Sequence, residues 1–207
     1  MLGFIKKDLF LIKGNMKAVG IMLAVLIGMA LFQDINLAFL PSFISVVLFL
    51  STFSYDEYNK WDSYAITLPN GRKHVVGAKY VTTIILLLIS VAIATILAVV
   101  IGKVRNQLNL EEIVGTMGGC IFAVILLISI TYPIIFKFGN EKGRIAMFVI
   151  TFLGVSLFTI LLKSINIPKD MISFLEQYGI ILIIIVSILI LIGSYILSKY
   201  IYEKKEF

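Results

Sequence analysis

Residues 81–101 read VTTIILLLISVAIATILAVVI, 21 consecutive positions without an acidic or basic side chain. A membrane-crossing helix needs roughly 20 predominantly apolar residues, so this stretch can span a bilayer by itself. Outward from it the pattern recurs, at 113–136, 145–162 and 180–201 on one side and at 35–54 and a shorter 17–32 on the other. An all-α polytopic membrane protein with six transmembrane helices, forming one domain over 1–207, is therefore expected. Composition agrees, since the 207 residues are 60% hydrophobic and 14% charged, against about 45–50% and about 25% in soluble proteins.

The segments between the spans carry their own patterns. In residues 1–16, Leu2, Ile5, Leu9 and Ile12 recur at helical spacing among Lys6, Lys7 and Lys13, with Lys17 next, which predicts an amphipathic interfacial helix. A cleaved signal peptide fits less well, because charges interrupt the apolar run and no small-residue cleavage site follows. Gln33 and Asp34 predict a tight turn, and Pro41 and Pro133 predict kinks that neighbouring helices must accommodate. Residues 164–179 predict a short outer helix, with Pro168 in its first turn, an apolar face of Met171, Ile172, Phe174 and Leu175, and Gly179 as terminator.

Charge distribution orients the chain. Fourteen of the 18 Lys and Arg residues fall in the N-terminal segment, the loops after spans two and four, and the C-terminal tail; Lys103, Arg105, Lys163 and Lys169 are the remainder. The positive-inside rule then places both termini in the cytoplasm. The same distribution explains the net charge of +6 without nucleic acid. Frequent isoleucine, lysine and asparagine suggest a low-GC bacterial source, hence a bacterial cell membrane.

Catalytic patterns are incomplete. The one histidine, His74, lies in an expected cytoplasmic loop, and the one cysteine, Cys120, reads as a buried small side chain, so neither builds a metal site. Glu111 and Glu112 are similar to the paired glutamates of prenyl-peptide proteases, but Thr116 stands where that motif needs arginine. Gly102-Lys103 lacks the upstream glycine of a phosphate-binding loop, because Leu97 occupies that position. No Asp, Glu, Lys or Arg lies near the middle of an expected span, which argues against ion-coupled transport. No catalytic residue, cofactor or metal is expected on this chain.

The informative connection is 55–80, YDEYNKWDSYAITLPNGRKHVVGAKY. Tyr58, Trp61 and Ala65 share a helical face, Pro69-Asn70-Gly71 predicts a turn, and Arg72, Lys73 and Lys79 lead into the next span. A short helix bearing the chain's one tryptophan can dock a cytoplasmic partner; an ordinary loop with its aromatics in the headgroup belt is the other reading.

With Ser54-Tyr55-Asp56-Glu57, Trp61-Asp62, Leu68-Pro69-Asn70-Gly71-Arg72 and Lys79-Tyr80, the chain resembles the membrane subunit of an ABC-2 type transporter. The resemblance is to the compact bacterial branch, similar to exporters of peptides, bacteriocins or phenol-soluble modulins. It implies a permease joined to two copies of a cytoplasmic ATPase, which holds the ATP and Mg, and paired with a second permease as homodimer or heterodimer. It also implies that 55–80 is the coupling loop, with Asp56, Glu57, Tyr58 and Trp61 in contact with the ATPase and Arg72 and Lys73 anchoring the return. Ser42, Ser45, Ser90 and Thr95 are candidates for a substrate path, although simple packing between helices explains each of them better. Gly115, Gly118 and Gly119 suit close helix approach. The alternative function is a membrane sensor or scaffold that docks a cytoplasmic protein without transport.

Overall fold

The computed structural model of the protein describes residues 1–32, 40–68, 71–104, 109–164 and 169–205. These form seven helices: α1 (Leu2–Phe32), α2 (Leu40–Tyr58), α3 (Trp61–Ala65), α4 (Gly71–Val104), α5 (Leu110–Phe138), α6 (Asn140–Ser164) and α7 (Lys169–Lys204). No strand occurs among the described residues. Three stretches are long and apolar enough to cross a membrane, His74–Val104, Leu110–Phe138 and Ile181–Lys204, and a shorter one is Met16–Val25. The expected spans 17–32 and 145–162 lie within α1 and α6. The expected span 35–54 coincides with α2 from Leu40, while 35–39, like the expected turn at Gln33 and Asp34, lies outside the described residues.

Several expected boundaries differ. The helix α1 runs without interruption through Gly14 and Lys17, so the interfacial segment and the first span are continuous. Likewise α7 passes through Gly179. A glycine inside a helix costs only about 1 kcal/mol relative to alanine, and without a proline to remove an amide nothing forces the helix to stop. Pro41 is the second residue of α2, where its missing amide is not needed for the helix. Most of the expected loop 55–80 is helical: α2 continues to Tyr58 and α4 begins at Gly71.

The chain divides into two compact units, Met1–Val124 and Ile125–Glu206. In the first, Ile12 of α1, Ile44 and Leu48 of α2, Leu86, Ala94, Ala98 and Ile101 of α4, and Met117 of α5 form the buried core. The three- and four-residue spacing along α4 places these side chains on one face, and the small Ala94 and Ala98 let neighbouring backbones approach. Ile84, Leu88, Ile96 and Val100 occupy the opposite, uncovered side. Such a row costs nothing in hydrocarbon and is anomalous in water.

In the second unit, α5 passes through Pro133 and continues to Phe138. Proline deprives the carbonyl four residues earlier of its amide, here that of Ser129, and the hydroxyl of Ser194 on α7 donates to this oxygen at 2.7 Å. One turn further, Phe136 packs edge-on against Tyr132 and against Tyr202 of α7, with ring centroids 6.2 and 5.4 Å apart. Gly139 ends α5 with φ 90°, a left-handed conformation that glycine adopts without steric cost, and its amide bonds the carbonyl of Ile135 at 2.8 Å.

Candidate functional site

The site begins with an acid on an apolar face. Asp8 stands one turn from Ile5 and from Ile12 on α1, and it is 1% exposed. A buried carboxylate without a cation is very costly. Two lysines answer it: Lys7 Nζ lies 2.9 Å and Lys79 Nζ 3.1 Å from Asp8 Oδ1. Both lysines also reach Asp56, near the end of α2, Lys7 at 2.5 Å to Oδ1 and Lys79 at 2.6 Å to Oδ2. Two cations and two anions thus alternate in a neutral ring drawn from α1, α2 and α4.

The ring is well enclosed. Lys79 is 4% and Asp56 8% exposed. Lys79 additionally faces the Thr52 carbonyl at 3.5 Å and lies 4.8 Å above the Phe53 ring, so its three donors and its charge all have partners. Between Val81 and Ile101, α4 rises about 30 Å, the thickness of bilayer hydrocarbon. Lys79 therefore stands at the edge of the hydrocarbon, and the ring sits at the membrane boundary.

The short α3 lies against this ring. The chain leaves α2 through Lys60, which adopts a left-handed conformation (φ 49°, ψ 38°), with the Lys60 amide bonding the Glu57 carbonyl at 3.1 Å. Trp61 then meets three partners: the Phe4 ring edge-on at 6.1 Å, the Tyr64 ring at 5.3 Å, and Lys7 Nζ 4.3 Å over its face. Ala65 is fully buried. Against its carbonyl comes Gly71, where an added Cβ would stand only 1.8 Å from the Ala65 oxygen. Glycine is required there because the start of α4 presses on the end of α3.

The six residues assigned to the coupling loop, four expected in contact and two as anchors, thus separate. Glu57 and Tyr58 are exposed, Tyr58 at 86%, and Tyr64 joins them on the outer side. Asp56 instead points inward, its carboxylate committed to the two lysines. Trp61 is half-buried and packs on α1, and Arg72 is exposed in the first turn of α4. Lys73 shares that turn, and its side chain, like Pro69 and Asn70, lies outside the described residues.

Of the candidate path residues, Ser45 and Ser90 are buried and their hydroxyls, on α2 and α4, are 2.8 Å apart. Thr95 is exposed; its hydroxyl donates to the Val91 carbonyl at 2.8 Å and lies 3.5 Å from Met117 Sδ. Ser42 lies in α2, with its side chain outside the described residues.

Lys7, Asp8 and Lys79 did not emerge from the sequence as a site. A signal was present: Asp8 is the one acid in the first 33 residues and falls on the apolar face of its helix, which demands a cation nearby.

Apolar helices with a charged anchor at the membrane boundary define a multi-pass membrane protein. The chain belongs to the ABC-2 family of transporters, as the model described as "ABC-2 family transporter protein" matches residues 3–203. Members of this family are membrane components of ABC transport systems, and membership implies association with an ABC ATPase rather than catalysis by this chain. No match is found among curated proteins or among solved structures.

Proposed function

We propose that the chain is the permease subunit of an ATP-driven exporter in a bacterial cell membrane, with both termini cytoplasmic. A separate cytoplasmic ATPase, present in two copies and holding ATP and Mg, would power it, and a second permease chain, identical or similar, would complete the path. The observation that carries this reading is the surface of Glu57, Tyr58 and Tyr64, exposed at the end of α2 and on α3 and backed by the buried ring at the membrane boundary. An exposed aromatic pair on a supported helix suits a protein partner. ATP binding drives transport only if it favours one of two permease conformations, and a firmly seated α3 can pass that preference to the spans.

Amphipathic or hydrophobic peptides, moved outward, are the proposed substrates. Supporting this are the apolar spans 81–101 and 113–136 and the last span up to Lys199, none with an internal Asp, Glu, Lys or Arg.

The test is purification of tagged protein from native membranes, with identification of co-eluting proteins for wild type and for Tyr58→Ala and Glu57→Lys. Both positions are exposed, so neither change should disturb folding. Recovery of an ATPase that the variants lose supports the reading. Well-folded wild type that brings down no ATPase would sink it in favour of a scaffold.

A further inference from the structure

We propose that Lys7 and Asp8 are positioning residues for α3, making α1 a third mechanical attachment of the docking surface alongside α2 and α4. The inference deepens the coupling role proposed above and rests on it. The chain links α3 directly only to α2 and α4, and a helix of five residues has no stability of its own. Its tryptophan is held from α1, by the Phe4 ring at 6.1 Å and by the Lys7 ammonium 4.3 Å over the indole.

Lys7 is the member of the ring suited to this task. Its side chain is 21% exposed, whereas those of Asp8, Lys79 and Asp56 are 2%, 5% and 10% exposed. One ammonium therefore belongs both to the buried ring and to the underside of α3. A ring serving only to neutralise buried charge would need no contact with Trp61. With that contact, displacement of α3 reaches α1 through Lys7, and Asp56 and Lys79 pass it on to α2 and α4 at the same point.

Charge arithmetic supplies the test. Lys7 and Asp8 together are neutral, so Lys7→Met/Asp8→Asn leaves the Asp56–Lys79 pair balanced, whereas Lys7→Met alone leaves two buried carboxylates with one lysine. In the full chain, we expect the double variant to keep a melting temperature near wild type. Amide hydrogen exchange across 59–68 should quicken about tenfold with exchange in the α4 core unchanged, and affinity for the co-purifying ATPase should fall by a similar factor, the range of a desolvated cation–π contact. Lys7→Arg, which keeps a cation over the indole, should restore both to within about twofold of wild type. Trp61→Leu, which leaves the ring intact, should quicken the same exchange and keeps the proposal open to refutation if the double variant does not fold.

Unchanged exchange across 59–68 in the double variant, or in Trp61→Leu where the double variant does not fold, overturns the proposal. If wild type binds no ATPase while exchange still depends on Lys7, the coupling role falls and the attachment of α3 to α1 stands. If all variants bind an ATPase equally and exchange does not change, the attachment alone is refuted.

Discussion

The hydroxyl of Ser194 donates to the carbonyl oxygen of Ser129 at 2.7 Å, the carbonyl that Pro133 leaves without its helical amide. A side chain on α7 thus completes the hydrogen bonding of α5, which explains how α5 carries a proline five residues before its end. In hydrocarbon no water can take that place.

From this pairing, Ser194→Ala should cost about 1–2 kcal/mol, the penalty for leaving a buried acceptor unsatisfied. In a Pro133→Ala background the restored amide takes over the carbonyl, and the same serine change should cost about 0.5 kcal/mol or less. A double-mutant cycle on reversible unfolding in detergent measures the difference. Equal costs in both backgrounds would mean that the serine contributes nothing to the carbonyl of Ser129.

The charged ring predicts a second non-additivity. Asp56→Asn leaves two lysines sharing the single carboxylate of Asp8, and breaking a buried ion pair in this way costs about 3–5 kcal/mol. Adding Lys79→Met removes the excess cation and leaves Lys7 with Asp8, so the double variant should be more stable than Asp56→Asn alone. Thermal stability and folded yield of the three proteins check this, and a double variant worse than the single would contradict the ring.

Gly71 offers a test at the other side of α3. Alanine there places its Cβ against the Ala65 carbonyl, and relief requires α3 and the start of α4 to separate, at about 1–3 kcal/mol. Gly71→Ala should weaken ATPase binding while the melting of the α4 core stays nearly unchanged, as followed by exchange across 82–98. Wild-type binding by this variant would show that the close approach has no bearing on docking.

The membrane class of the fold was legible at 81–101, because an uncharged run of that length has few other uses. Helix boundaries were less so. Gly14 and Gly179 look like punctuation in one dimension, yet glycine only weakens a helix, and both α1 and α7 continue through. The short helix α3 was recognisable by the helical spacing of Trp61 and Ala65, but the inward turn of Asp56 was not. In sequence, Asp56-Glu57-Tyr58 looks uniformly solvent-exposed, while the partners of Asp56 lie 49 residues earlier at Lys7 and on another helix at Lys79. Asp8 was the one clue, an acid where the helix pattern calls for an apolar residue.

The ring also bears on how the chain is built. Synthesis proceeds from the N-terminus, and Lys79 follows Asp8 by 71 residues. Until that lysine is made, Asp8 has Lys7 as its one ring partner, and α1 has neither α2 nor α4 to close against. The helix α1 is therefore seated no earlier than α4, although it precedes it in the chain, and Lys7 keeps the Asp8 carboxylate neutralised during the wait.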